Sequence, residues 1–142
     1  MPSISDLTLL LRHLNPVLQE GAYAFVSVRD PDWLKDVEIL AFMREPEGFS
    51  AVIPLAAAEQ RGIPILFRAA WIMLTVSSDL AAVGLTAAVA QALAQAGLSC
   101  NVVAGSHHDH LFVPLTEAER AMSVLRALQH PNDSVSQSAH PI

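Results

Sequence analysis

The chain has 142 residues, of which 52% are apolar and only 15% are charged. This composition excludes a largely disordered protein and predicts a single domain, or two very small repeats that share one core. The net charge is −6 and Lys and Arg form no cluster, so nucleic acid is not an expected partner.

The first half of the chain predicts a leading helix, three strands and a second helix. Ser5 and Asp6 have the chemistry of a helix cap and precede leucines at helical spacing, and Pro16 ends the helix. Aromatic and β-branched residues indicate the strands, and Gly62 stops the second helix. The predicted elements are a helix over residues 5–14, strands over 22–28, 38–44 and 49–54, and a helix over 55–61.

The second half predicts a strand, a helix, two strands and a final helix. Gly97 follows the first of these helices in the position of a left-handed C-terminal residue. Thr116 and Glu119 match a capping box at the start of the final helix. The chain turns polar after Leu128, so residues 129–142 are predicted to be a disordered tail. The predicted elements are a strand over residues 70–76, a helix over 85–96, strands over 100–104 and 109–114, and a helix over 116–128.

Two short segments of the first half recur in the second. Residues Ala22–Val28 resemble Ala70–Val76, and Ile53–Leu55 resemble Val113–Leu115. Chance similarity is the alternative for such short segments, but we interpret them as a degenerate internal duplication. The two halves are then residues 1–68, which include the leading helix, and residues 69–128.

Each half has the order strand, helix, strand, strand, helix, although a short connection over residues 30–37 replaces the first helix of the first half. One further strand would complete the βαββαβ arrangement of ferredoxin-like domains, and the Val17–Val28 region is the best source of it for the second half. We therefore predict an α+β fold of two intertwined ferredoxin-like halves, with antiparallel sheets and helices on one face. The strand over residues 70–76 is apolar on both faces, so a second sheet or a second subunit should cover the other face.

A family resemblance rests on the start and the end of the helix over residues 85–96. Gly84-Leu85 opens this helix after a strand, and Gly97-Leu98 leads to a strand that carries Asn101-Val102. In these features residues 71–115 resemble an ACT domain. The segments Val83–Val89, Ser99–Gly105 and His108–Pro114 are more specific still. With them, most of residues 20–128, and residues 69–128 most strongly, resemble a small bacterial family of stand-alone tandem ACT-like proteins of unknown function, which is related in repeat architecture to aspartokinase regulatory domains. Where that family usually has a proline before the helix glycine, this chain has Val83.

The resemblance implies a non-catalytic regulatory module. ACT domains usually bind an amino acid at the interface of two such domains and convert binding into a change of association. The implied partners are therefore an amino acid, a second copy of the chain in a homodimer, and a partner enzyme, with no cofactor. A eukaryotic arginine sensor built from ACT-like repeats has a similar Asp-His pair, whose aspartate contacts the ligand. By that resemblance Asp109 is the corresponding candidate here.

The predicted binding site lies at the start of the same helix. The first turn of a helix presents free N–H groups to a carboxylate, and Gly84 allows close approach. Asn101 offers both a donor and an acceptor, and Asp109 can hold an ammonium or a basic side chain. A purely structural role stays open for each: a tight turn for Gly84, a strand edge for Asn101 and a turn for Asp109. The predicted ligand-binding residues are Val83, Gly84, Leu85, Thr86, Asn101, Val102, Gly105, His107, His108 and Asp109.

The segment His107–His110 carries three imidazoles and a carboxylate, which are ligands for zinc or nickel. In a strand, His108 and His110 face one way while His107 and Asp109 face the other, so no metal site is predicted. Catalysis is not predicted either, because no nucleophile motif is present and Cys100 lies in an apolar strand. As the single cysteine, Cys100 also excludes an internal disulfide.

The alternative function is a structural or protein-interaction module that acts through its uncovered sheet without a ligand. The sequence predicts neither a signal peptide nor an apolar helix of about 20 residues, so no membrane is an expected partner. The expected location is the cytoplasm.

Overall fold

The computed structural model describes residues 6–76 and 83–131 of the chain. Within these ranges the protein alternates short helices with antiparallel strands, and two single turns of 3-10 helix cover Pro31–Leu34 and Leu115–Glu117. The helices are α1 (Leu7–Arg12), α2 (Leu55–Arg61), α3 (Leu85–Gln95) and α4 (Ala118–Gln129). The strands are β1 (Pro16–Leu18), β2 (Tyr23–Val28), β3 (Ala41–Glu45), β4 (Gly48–Pro54), β5 (Phe67–Leu74), β6 (Asn101–Ala104) and β7 (Asp109–Pro114).

Strand β5 belongs to both halves of the protein. The strands form one seven-stranded sheet in the order β3-β4-β2-β5-β7-β6, and β1 also pairs with β5. The first residues of β5, Phe67–Ala69, pair with β2 and complete the four strands of the first half. Its later residues pair with β7 on one side and, at Ile72–Leu74, with β1 on the other. The α+β fold of two intertwined, antiparallel ferredoxin-like halves is therefore confirmed.

The helices cover one face of the sheet. Helices α1, α3 and α4 pack on β5, β6 and β7 around buried side chains such as Leu10, Ile72 and Leu93. Helix α2 and the 3-10 turn at Pro31–Leu34 pack on β2 and β4 around Val26 and Ile53. The helical layer follows from the alternation of side chains in a strand, which sends every second apolar residue of β5 to this face.

The opposite face of the sheet is covered from within the chain. Val52 of the first half and Phe112 of the second are buried in one apolar cluster, although β2 and β5 lie between their strands in the sheet. Leu40 and Ala41 near one edge of the sheet pack in the same cluster as Val103 of the other edge strand. The sheet therefore bends so that its two halves face each other. Another part of the same sheet thus covers the second apolar face of β5, which needs such cover because both of its faces are apolar.

The junction between α1 and α4 corrects the predicted start of the tail. Gln129 was assigned to the tail over residues 129–142, but it is the last residue of α4. Its amide Nε2 donates to the carbonyl of Arg12 at 3.0 Å and to Oδ1 of Asn15 at 2.7 Å, and its Oε1 accepts from the N–H of Asn15 at 3.1 Å. These hydrogen bonds extend the helix past Leu128. Residues 132–142 of the predicted tail lie outside the described residues.

The predicted capping box at Thr116 and Glu119 is wrong. Thr116 lies inside the 3-10 turn that follows Pro114, and no side chain caps the start of α4. Arg120 instead forms an ion pair with Glu117 at 3.3 Å across this junction. The fixed backbone angle of Pro114 favours a helical turn immediately after β7, so the chain enters the helix earlier than the capping pattern indicates.

None of the helices within residues 6–76 and 83–131 combines the length and the apolar character that a membrane span requires.

We expect Ile72→Ala to destabilise both halves together. Ile72 is fully buried in the middle of β5 and pairs with Leu18 on one side and Leu111 on the other. Removing its side chain should lower the free energy of unfolding by about 2–5 kcal/mol. Urea unfolding followed by far-UV circular dichroism should remain a single transition, because neither half keeps a complete sheet without β5. The matched control Leu66→Ala alters a side chain that is 69% exposed and should change little. Two separated transitions, with only one moved by Ile72→Ala, would contradict a shared strand.

Candidate ligand-binding site

The predicted site lies at the end of the sheet where β5 finishes and β7 begins. Leu74, the last residue of β5, pairs with Asp109, and Asp109 pairs with Ala104 at the end of β6. Leu85, in the first turn of α3, belongs to the same buried core as Leu74, and residues 75–84 connect the end of β5 to the start of α3. The register of three strands and the packing of one leucine thus bring Gly84, Asp109 and the β6–β7 hairpin to one edge of the second half.

The N-cap residue of α3 is a glycine, which has no side chain with which to cap the helix. This residue, Gly84, has φ 103°, a left-handed conformation that favours glycine. A Cβ atom at this position would lie 3.2 Å from Cδ2 of Leu7, so the leading helix packs closely against it. The turn and the packing therefore both favour glycine here without any ligand. The first-turn N–H groups of Leu85 and Thr86 have no partner within the helix and point toward its N-terminal end. Leu85 is buried, whereas Val83 and Thr86 are exposed.

Asp109 is a half-buried carboxylate at this edge. Burial raises its pKa above its ordinary value, while the neighbouring His110 and His108 lower it. Arg120 and Glu117 form the single ion pair among residues 6–76 and 83–131, so Asp109 has no basic partner there. It does not close the preceding turn, because that turn is closed by the N–H of Gly105, which donates to the carbonyl of His108 at 2.9 Å. A partly desolvated carboxylate without a counter-ion is suited to hold a cationic group.

His108 adds an unsatisfied atom to this edge. Its Nδ1 is buried and forms no hydrogen bond with any residue that the structure describes. Buried polar atoms in folded proteins are nearly always paired, so an unpaired one indicates a place for a water or a ligand atom. The neighbouring His107 is exposed, and its ring centroid lies 6.4 Å from that of His108.

The structure separates Asn101 and Val102 from the other predicted residues. Asn101 pairs with Phe112 at the opposite end of β6 from Ala104, and it is exposed on the face away from the helices. Val102 points the other way and packs on the core beneath α3 and α4. Only the residues near Gly84 and in the β6–β7 hairpin therefore share one edge.

A hydrogen-bonded pair of rings, Trp71 and His110, is the main polar feature that sequence reasoning missed. The indole Nε1 of Trp71 donates to Nδ1 of His110 at 3.1 Å. The bond assigns the proton of the neutral imidazole to Nε2. Burial lowers the pKa of His110, the electrostatic interaction with His108 lowers it further, and Asp109 raises it. The signal was available in the alternation of β5 and β7, which puts Trp71 on the same face as His110 and Phe112.

The imidazole of His110 also explains why residue 105 is a glycine. A Cβ atom at Gly105 would lie 3.1 Å from Nε2 of His110 and 2.8 Å from the carbonyl oxygen of His108. The absence of a side chain at Gly105 lets the imidazole and the turn pack against the backbone. Its presence is thus accounted for by packing alone.

No set of three His, Cys, Asp or Glu side chains that could hold a metal occurs within residues 6–76 and 83–131. Burial raises the pKa of the Cys100 thiol to about 11, so the thiol is protonated at neutral pH and is a poor nucleophile.

Comparison with known families assigns the chain. Residues 2–70 match the ACT domain, and residues 66–127 match an ACT domain again. The chain therefore belongs to the ACT domain family and contains two ACT domains in tandem. The two matches overlap at residues 66–70, which include the start of the shared strand β5. ACT domains are regulatory modules, and this assignment supports a regulatory role.

Solved structures agree with the fold. A protein of unknown function from Vibrio cholerae, described as a possible transport protein, is 42% identical, with a TM-score of 0.79 over 87% of this chain and 95% of that chain. A protein from Agrobacterium tumefaciens is 18% identical, with a TM-score of 0.62 over 80% of this chain and 87% of that one. The ligand-free regulatory subunit of aspartate kinase from Thermus thermophilus is 11% identical, with a TM-score of 0.62 over 82% and 97% of the two chains. No curated protein matches the chain.

We expect the stability of the protein to fall as the pH drops below about 6.5 because of His110. Its folded pKa lies below the ordinary value of 6.5, so the unfolded chain takes up a proton first as the pH falls. The stability contribution is complete above 6.5 and is lost as the pH falls through the folded pKa. Protonation would also remove the acceptor that Trp71 uses.

The charged groups near His110 are Asp109 and His108 on its own segment and Glu38 across the cleft that His110 lines. The raised pKa of Asp109 acts in the opposite sense. As the pH falls, this carboxyl takes up a proton in the folded protein before it does so in the unfolded chain, so its contribution to stability increases. His110→Asn keeps an acceptor but does not titrate. Urea unfolding at pH 7.5 and 5.5 should show a smaller loss of stability in His110→Asn than in the wild type, and equal losses would contradict this assignment.

Proposed function

We propose that this chain is a regulatory module that binds a free amino acid at the start of α3. In this proposal the ligand carboxylate accepts hydrogen bonds from the first-turn N–H groups of α3, and Asp109 holds the ammonium or a basic side chain. The observation that carries the proposal is a helix N-terminus whose N-cap residue is glycine, together with a partly desolvated carboxylate, Asp109, that forms no ion pair with any described residue and lies where β5 ends.

The two ends of an amino acid match these two features chemically. A carboxylate is favoured at a helix N-terminus by the free N–H groups and by the partial positive charge there. A carboxylate of the protein is favoured beside an ammonium group. The buried Nδ1 of His108, which lacks a partner among the described residues, can supply one further hydrogen bond to the ligand. Membership of the ACT domain family supports the same ligand class.

Binding at this edge reaches the rest of the protein through packed elements. Helix α3 packs on α1 and α4, and Leu7 of α1 contacts Gly84 at the site itself. A ligand that orders the start of α3 would therefore stabilise the leading helix as well. We propose that this change alters the association of the chain, either with a second copy in a homodimer or with a partner enzyme in the cytoplasm, and that the chain itself is not catalytic.

A second candidate function is a protein-interaction module that needs no ligand. One observation favours it: Phe42 and Met43 of the edge strand β3 are 47% and 63% exposed, and nearby Leu66 is 69% exposed. Apolar side chains grouped at a free strand edge are typical of an association surface.

A thermal-shift screen of the untagged protein against the twenty amino acids tests the proposed function. An amino acid at a hundred times its dissociation constant should stabilise the fold by about 2.7 kcal/mol, which raises Tm by several degrees. Asp109→Asn should abolish most of the shift, because it removes the charge that faces the ammonium. The control Asp32→Asn makes the same substitution at an exposed position of the first half and should leave the shift intact.

If no amino acid raises Tm, or if Asp109→Asn and Asp32→Asn respond alike, binding at the start of α3 is wrong. A concentration-dependent oligomer that loses its association in Met43→Glu would then favour the interaction module.

A further inference from the structure

A separate cleft lies between the two halves, on the face of the sheet away from the helices. We call it the inter-half cleft; it has a volume of about 320 Å³. Its walls come from the first half at Glu38, Leu40 and Ala41 and from the second half at Trp71, His110 and Phe112. Because side chains alternate along β5 and β7, these second-half residues point away from the face that carries α3. The inter-half cleft is therefore distinct from the edge that holds Gly84 and Asp109.

The second-half wall of the inter-half cleft is aromatic and held in place. Trp71 stacks on Phe112 with ring centroids 6.4 Å apart, and Tyr23 meets it edge-on at 5.5 Å. The only donor of the indole is already used by His110. Trp71 thus offers the cleft its apolar ring, against which an apolar group can pack.

The first-half wall supplies a negative charge without a counter-ion. Glu38 is exposed on the wall of the cleft and takes no part in an ion pair within the described ranges. The Glu38 charge also acts on Tyr23, which packs edge-on against Trp71. Burial is the largest cause that raises the pKa of the Tyr23 phenol, and the carboxylates of Glu38 and Glu20 raise it further. Burial lowers the pKa of His110, so this imidazole is neutral at pH 7 and adds no positive charge. The cleft therefore combines apolar walls with one carboxylate that has no counter-ion among the described residues.

We propose that the inter-half cleft binds a small primary amine with a compact apolar body. The ammonium group lies toward Glu38, and the apolar body lies against Trp71 and Phe112. Pockets for small ligands start at about 300 Å³, so the cleft is large enough for such an amine. Because both halves contribute a wall, the amine would bridge them.

Trp71 provides the readout for the test. The chain has two tryptophans, and Trp33 is exposed on the 3-10 turn of the first half. In a Trp33→Phe background, Trp71 is the only tryptophan and its emission reports on the cleft. Titration with phenethylamine should give a saturable change in this emission. The neutral analogue 2-phenylethanol has the same ring and no charge, and its affinity should be lower by a factor of about ten or more.

Matched variants separate the charge from the apolar walls. Glu38→Gln should weaken phenethylamine binding about tenfold or more and leave 2-phenylethanol binding unchanged. Glu47→Gln, in the exposed β3–β4 turn, should affect neither probe. Ala41→Leu should fill the cleft and weaken both probes, with the fold verified by far-UV circular dichroism.

Three results would overturn the proposal: no saturable change in Trp71 emission, equal affinity for the amine and the alcohol, or equal amine affinity in Glu38→Gln and the parent. Asp109→Asn should leave phenethylamine binding unchanged. The inter-half cleft and the site at the start of α3 can thus fail independently of each other.

Discussion

The sharing of strand β5 is the constraint on which the rest of the structure depends. A ferredoxin-like half needs four strands, but β1 of the first half pairs with β5 and not with β2–β4, and within the described residues the second half holds β5, β6 and β7. The first residues of β5 complete the sheet of the first half, and β1 pairs with Ile72–Leu74 and completes the sheet of the second. One strand therefore fixes the position of both halves, and the overlap of the two family matches at residues 66–70 falls at its start.

Both candidate sites follow from the register and the two faces of β5. On the helical face, the pairing of Leu74 with Asp109 brings a carboxylate to the edge where α3 begins. On the other face, Trp71 points toward the bent sheet and meets residues of the first half across the inter-half cleft. A slip of β5 by one residue would exchange these faces and dismantle both sites, because the side-chain period of a strand is two.

The limits of a helix or strand could be predicted where residues next to it in the sequence set them. Helix α2 begins after Pro54 and ends at Gly62 as expected, since Gly62 adopts the left-handed conformation that stops a helix. Strand β7 also has its predicted limits. The sequence comparison of the two halves, together with the missing last strand, was enough to predict that they are intertwined.

Features that depend on distant partners were not predictable in detail. Strand β5 starts at Phe67, before the expected residue 70, because β2 pairs with its first residues. Strand β3 starts at Ala41 and not at residue 38, because Ala41 is the first residue that has a partner on β4, at Val52. The hydrogen bonds of Gln129 and the Trp71–His110 pair join residues far apart in sequence. The family resemblance assigned Gly84, Asn101 and Asp109 to one predicted site. Only the strand register shows that Asn101 lies at the other end of β6 from Ala104, the partner of Asp109.

The central claim is that a free amino acid binds where α3 begins. The most direct measurement is a ¹H–¹⁵N correlation spectrum of the labelled protein, recorded during titration with the amino acids. The account predicts that one of them shifts the amide resonances of Leu85 and Thr86 together with that of Asp109, since these groups line one edge of the sheet. Unchanged resonances at these three positions at saturating concentrations of every amino acid would contradict it.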